Sequence, residues 1–195
     1  MCPAGQRFQR TPTVREGMLS KKYMRLIYVT YLLTFATFGS HLPGERDEIV
    51  NRKKNRHTDP FVEVDPHLAE SVHRSISQRP YVLDLQRANA VLGAMLETCE
   101  FRGWFIYAIH VRTNHAHAVL EGKAAPEKIL NDLKSYASRR LNQLNLDPPE
   151  TKRWARHGST RYLNGERALA AAIRYVVEEQ GEPMAVYPAP TASPP

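Results

Sequence analysis

The stretch RTNHAHAVL, residues 112–120, holds His115 and His117 one residue apart at the start of an apolar run. Side chains alternate along a strand, so both imidazoles share one face while Ala116 and Ala118 point to the other. Residues i and i+2 lie about 6.6 Å apart along a strand. Two imidazoles leaning together can then each place a nitrogen about 2.1 Å from one divalent cation. The same spacing also suits ordinary strand histidines, one buried with a hydrogen bond and one exposed. Two histidines do not complete a metal site, so the chemistry turns on the source of a third ligand and of a reacting group.

The helix-forming stretch NGERALAAAIRYVVEEQG, residues 164–181, offers both. At about 100° per residue, Leu169, Ile173, Val176 and Val177 define its apolar face. Tyr175 and Glu179, four apart, sit side by side on one flank of that face. Gln180 falls about 140° round from Tyr175, near the middle of the apolar stripe. A helix lying along the sheet would bring a phenol and a carboxylate to the histidine pair. Taken singly, Tyr175 is an edge residue packing its ring, and Glu179 is a solvated charge. Tyr136, in LKSYASRR, is the rival phenol. Its wheel sets it beside Ile129 and Leu133, which points to packing, and Arg140 four residues on cannot bind a metal.

These groups need elements to carry them. Residues 24–38 are rich in β-branched and aromatic side chains and read as a buried strand. A charged, Gly- and Pro-containing surface loop follows over 41–60. Asp84 is placed to cap a helix through LQRANAVLGAMLETCEFRG, with Gly103 as its stop. WFIYAIHV and HAHAVLEG are strands separated by a bend at Thr113-Asn114. APEKILNDLKSYASRRLNQL is an amphipathic helix with Pro126 near its start. KRWARHGSTRYL, around Gly158, suggests a short hairpin, and Asn164 and Gly181 bracket the last helix. This order predicts an α+β fold, a central antiparallel sheet with helices packed on one face and the other face left for a site. It also predicts a single domain over 21–184, between a polar tail at 1–20 and a Pro/Ser-rich tail at 185–195.

The 195 residues carry a net charge of +7, which favours an anionic partner such as nucleic acid. Arg139, Arg140, Lys152, Arg153, Arg156 and Arg161, around Trp154 and Tyr162, are the candidate DNA contacts, pairing phosphate charges with rings for base stacking. RKKNR at 52–56 is another such group, or plain loop. The longest apolar run, LIYVTYLLTFATF, is short of the ~18 residues a membrane span needs and is broken by Thr and Tyr, so no membrane partner is expected. The first residues lack an apolar h-region, and two cysteines, Cys2 and Cys99, make neither a disulfide framework nor a zinc site. A reducing, cytoplasmic setting is the expectation.

Taken together, Asn-His-x-His after an apolar strand and a tyrosine helix 58 residues beyond His117 resemble the HUH endonucleases. The pattern over 24–184 is similar to the single-tyrosine transposases of the IS200/IS605 type and their REP-associated relatives. The resemblance implies a ferredoxin-like HUH sandwich and a DNA transposase that cleaves and rejoins single-stranded or hairpin DNA through a 5′-phosphotyrosine. Tyr175 would be the nucleophile, with Mg²⁺ or Mn²⁺ held by His115, His117 and a third ligand. It often implies a homodimer in which each tyrosine helix serves the partner's histidines, although REP-associated relatives act as monomers. In two places the chain departs from the pattern. Alanine separates the histidines, and Glu179 stands four after the tyrosine where the family has Gln or Asn. A carboxylate suits a hard cation, so Glu179 is the first choice and Gln180 the second. A non-catalytic nucleic-acid-binding module on this scaffold, or a metal-dependent phosphodiesterase using water, are the alternatives.

Overall fold

The computed structural model describes residues 28–40 and 78–188, so the N-terminal tail, the 41–60 loop with its RKKNR group, and residues 189–195 lie outside the described residues. The elements run β1 (Val29–Ala36), α1 (Leu85–Arg102), β2 (Phe105–Val111), β3 (His115–Gly122), α2 (Pro126–Gln143), β4 (Ser159–Tyr162), α3 (Glu166–Glu178) and β5 (Ala185–Tyr187). The five strands form one antiparallel sheet in the order β4-β1-β3-β2-β5. The fold is therefore α+β, as its sequence implies.

Alternation along the strands divides the sheet into two unlike faces. Tyr31, Leu33, Phe35, Ile109, Val111, Ala116, Ala118 and Leu120 pack under α1 and α2 in the main core. Ala116 and Ala118 are small, which suits helices laid close over the middle of the sheet. Leu32, Ala108 and Val119 point the other way, where Ala172 and Val176 of α3 cover them. The helices therefore do not share one face. Two cover the large core, and α3 lies alone on the opposite face, the one that carries the histidines.

Helix ends follow local chemistry. Asp84 accepts the Arg87 N–H at 2.8 Å as the cap of α1, and Gly103 ends that helix at φ 66°. Pro126 opens α2, where a missing N–H costs nothing. At α3 the cap is Gly165 (φ 86°) rather than Asn164, and the helix stops at Glu178, three residues before Gly181.

Two segments differ from expectation at the sheet edges. KRWARHGSTRYL forms no hairpin. Trp154 bridges Thr37 while Ser159–Tyr162 pairs with Tyr31–Thr34, so the whole segment runs along β1. Gly158 allows that approach, since a Cβ there would lie 2.6 Å from the Thr34 carbonyl oxygen. Residues 185–187, expected to open the tail, instead pair with Ile109–Val111 as β5. Three residues are too few to display a strand period, and the open edge of β2 recruits them.

Asp147 is a polar staple beside the main core. It accepts from the Tyr81 hydroxyl at 2.6 Å and from Arg87 Nε and Arg153 Nε at 2.9 Å each. Arg153 and Asp147 side chains are 3% and 6% exposed, so each depends on the other for compensation. Removing one partner of such a buried pair costs about 3–5 kcal/mol. Asp147→Ala should therefore lose several kcal/mol in urea unfolding at pH 7, whereas a loss below about 1 kcal/mol would show that the staple is dispensable.

Candidate active site

The bend after β2 is closed by the Arg112 N–H donating to the His115 carbonyl at 2.8 Å, and β3 starts at once. His115 and His117 then emerge on the α3 face with ring centroids 4.7 Å apart. The β1 register sets Thr34 opposite His117, and its hydroxyl lies 2.7 Å from His117 Nδ1. His115 Nδ1 lies 2.7 Å from Asn114 Oδ1. An amide oxygen only accepts, so Nδ1 is a protonated nitrogen of His115.

Burial, reinforced by neighbouring His115, lowers the pKa of His117 to about 4. The ring is therefore neutral near pH 7, the state a metal ligand requires. In this geometry its Nε2 donates to Gln180 Oε1 at 3.0 Å while Nδ1 accepts from Thr34. A threonine hydroxyl can equally accept, so the proton can sit on Nδ1 and leave Nε2 as a ligand.

Gln180 reaches His117 because the helix ends early. With Glu179 already off the helical track (φ −100°, ψ 12°), the wheel that paired Tyr175 with Glu179 no longer governs the next residue. The Gln180 amide N–H donates to the Tyr175 carbonyl at 3.1 Å, which turns its oxygen toward the histidine. Glu179 instead pairs with Arg174 at 3.2 Å, both side chains being exposed. Gln180, the second choice as ligand, thus approaches the histidines, while Glu179, the first choice, is turned toward Arg174 on the cleft wall.

Tyr175 stands beside this pair, its ring 5.4 Å from that of His117 and partly open to solvent. It borders a cleft of about 440 Å³ whose other walls include Thr34, Ser159, Arg161, Arg174 and Glu179. The register explains the lining, since Ser159 and Arg161 pair with Thr34 and Leu32 and so share their face. Tyr136 belongs to α2 on the other side of the sheet, under the guanidinium groups of Arg102 and Arg139.

Of the six basic candidates, only Arg161 lines the tyrosine cleft. Arg139 and Arg140 lie on α2, across the sheet from Tyr175, and Arg140 is paired with Glu97. Lys152 sits near the Phe38 ring, and Arg156 lines a separate hollow with Glu127, Asn131 and His157. Arg153 corrects the sequence reading: buried against Asp147 and bonded to Asn142, it has no surface to offer a phosphate.

Residues 72–176, just over half of the chain, match the family model described as IS200-like transposase. The chain belongs to that family. The match includes both histidines and ends one residue after Tyr175, leaving Gln180 outside it. The solved structure of a REP-associated tyrosine transposase bound to a REP hairpin aligns with 77% of this chain, at 10% identity and a TM-score of 0.41. The chain covers 66% of that protein, just under two thirds. No curated protein matches the chain. Among the described residues of this IS200-like transposase, no helix is long and apolar enough to cross a membrane.

His115, His117 and Gln180 would offer a divalent cation two imidazole nitrogens and an amide oxygen, a mixed donor set of kinds that such ions accept. Among the described residues there is no cluster of three His, Cys, Asp or Glu, and the Gln180 amide oxygen is the group that reaches His117 Nε2.

Sequence reasoning missed Thr34, Ser159, Arg174 and His110. The first two depend on register, which no local pattern reveals. His110 did carry a signal, a histidine inside an otherwise apolar strand.

The lowered pKa of His117 makes the metal-free protein acid-sensitive. The unfolded chain binds a proton near pH 6.5 that the native ring refuses until about pH 4, so stability is intact above 6.5 and falls as pH drops through that window. The contribution approaches roughly 3 kcal/mol at the acid end. With chelator present, urea unfolding between pH 7 and 4.5 should steepen for the parent protein relative to His117→Gln; parallel losses in the two would contradict the assignment.

Proposed function

We propose that this IS200-like transposase cleaves and rejoins single-stranded DNA through Tyr175, with Mg²⁺ or Mn²⁺ held by His115, His117 and Gln180. The observation carrying the reading is the meeting, within one chain, of Gln180 Oε1 with His117 Nε2 at 3.0 Å, beside the Tyr175 ring. Because histidines and tyrosine belong to the same chain, the reading takes the site as complete in one protomer. A dimer would be compatible but is not needed for chemistry.

Arg161 and Ser159, on the wall facing Tyr175, are suited to grip the strand's phosphates and hold the scissile phosphorus before the phenol. The phenol oxygen attacks phosphorus and loses its proton. The bond to the 3′-oxygen breaks, leaving a 5′-phosphotyrosine and a free 3′-hydroxyl. The covalent linkage retains the phosphodiester bond, so a second strand's 3′-hydroxyl can reverse the step without ATP. A bound cation supplies Lewis-acid stabilisation of charge on the phosphate. His117, neutral near pH 7 and steadied by Thr34, keeps a nitrogen lone pair available at that position.

The test uses a labelled DNA hairpin with randomised single-stranded flanks and Mn²⁺. The parent protein and Tyr136→Phe should form a covalent adduct, and Tyr175→Phe should form none. An equimolar mixture of Tyr175→Phe with His117→Ala should also form none, because each chain uses its own groups. Binding without any adduct would favour a non-catalytic module, and cleavage surviving both Phe substitutions would favour attack by water.

The ligand assignment is separately measurable by Mn²⁺ titration. Gln180→Ala should weaken Mn²⁺ binding at least about 10-fold, in line with losses at metal sites. Glu179→Ala should stay within about 2-fold, and the reverse pattern would restore Glu179 as the ligand.

A further inference from the structure

His110 is fully buried in β2, directly opposite His117 in the β2–β3 register. Both of its nitrogens are engaged. Nδ1 lies 3.0 Å from the Val176 carbonyl oxygen, and Nε2 accepts the Met184 N–H at 3.4 Å. A carbonyl only accepts and an N–H only donates, so the ring is the neutral Nδ1–H tautomer. Its two bonds reach the residue after Tyr175 and the residue before β5.

The Val176 carbonyl belongs to the last turn of α3, where carbonyls lack helical partners. Its neighbour, the Tyr175 carbonyl, takes bonds from the Glu179 N–H and the Gln180 amide. The turn bearing the tyrosine is thus tied to the sheet at two adjacent carbonyls. One tie runs directly to His110, and the other runs through Gln180 to His117. The hydrophobic contacts of α3 with Leu32, Ala108 and Val119 are non-directional and leave rotation and slide of the helix open. A hydrogen bond from a ring locked in the sheet removes that freedom.

We infer that His110 is a positioning residue that sets the register of Tyr175 against the histidine pair through the Val176 carbonyl. The inference rests on the tyrosine-nucleophile reading above. A misplacement of about 1 Å in such a site costs about 100-fold in rate, so the effect belongs in kcat rather than in DNA binding.

Two substitutions separate positioning from plain stability. In His110→Asn the side-chain amide nitrogen stands where Nδ1 stood, so the bond to Val176 survives and the one to Met184 is lost. In His110→Gln the terminal amide stands near Nε2, so the bond to Met184 survives and the one to Val176 is lost. Each variant deletes one hydrogen bond. Adduct formation at saturating hairpin DNA and Mn²⁺ should fall about 100-fold in His110→Gln and less than about 10-fold in His110→Asn, with KM within about 2-fold in both. Equal losses in the two variants, or losses confined to KM, overturn the inference. Amide hydrogen exchange gives a reading independent of catalysis: Val177–Gln180 should exchange faster in His110→Gln than in His110→Asn, and identical exchange likewise overturns it. If the parent protein forms no adduct while the exchange difference appears, the tyrosine-nucleophile reading fails and the anchoring stands.

Discussion

A helix C-terminus leaves carbonyl groups that its own backbone cannot satisfy, and in this protein the sheet answers them at the turn that carries Tyr175. His110 donates to the Val176 carbonyl, while Gln180 spans from the Tyr175 carbonyl to His117. Arg112, at the end of β2, donates to the Glu182 carbonyl just beyond. These contacts convert a greasy helix–sheet interface, which alone tolerates sliding, into a fixed geometry. They also explain why the chain turns back into β5 immediately afterwards. Met184 donates its N–H to the other nitrogen of the same His110 ring.

That arrangement needs neutral imidazoles. Burial lowers the pKa of both His110 and His117, the latter with help from His115. The cost of excluding water from the rings is offset by directed partners on each nitrogen, so no buried side-chain polar atom among the described residues lacks a partner. Thr34 has a particular place here, because its hydroxyl can donate or accept. With Nε2–H donating to Gln180, Nδ1 accepts from Thr34; in the other tautomer Nδ1 donates to Thr34 and the Nε2 lone pair faces an amide oxygen that cannot donate.

Positive charge is divided between structure and surface. Arg153 and Arg87 are spent on Asp147 within the fold, and Arg140 is spent on Glu97. Arg161 flanks the tyrosine cleft, and Arg174, which also lines it, is paired with Glu179. Net charge alone did not distinguish these uses. A basic residue's role depends on whether a carboxylate is already beside it, and that is decided by elements far apart in the chain.

What the sequence determined by itself is whatever rests on local periodicity and composition. Strand alternation placed His115 and His117 on one face, helical spacing placed Tyr175 on the flank of an apolar stripe, and Asp84, Gly103 and Pro126 marked helix ends. Together these made the α+β class readable, and the resemblance of Asn-His-x-His and its downstream tyrosine helix to a known pattern pointed to the transposase family. Tertiary structure alone decided the rest. α3 lies on the histidine face, where Leu32, Ala108 and Val119 receive Ala172 and Val176, and periodicity does not say which helix covers which face. Gln180 rather than Glu179 reaches His117 because the helix ends at Glu178, which a wheel drawn at about 100° per residue does not show. Thr34, Ser159, Arg161 and His110 acquire their places only through strand register, a long-range property that no short window of sequence contains.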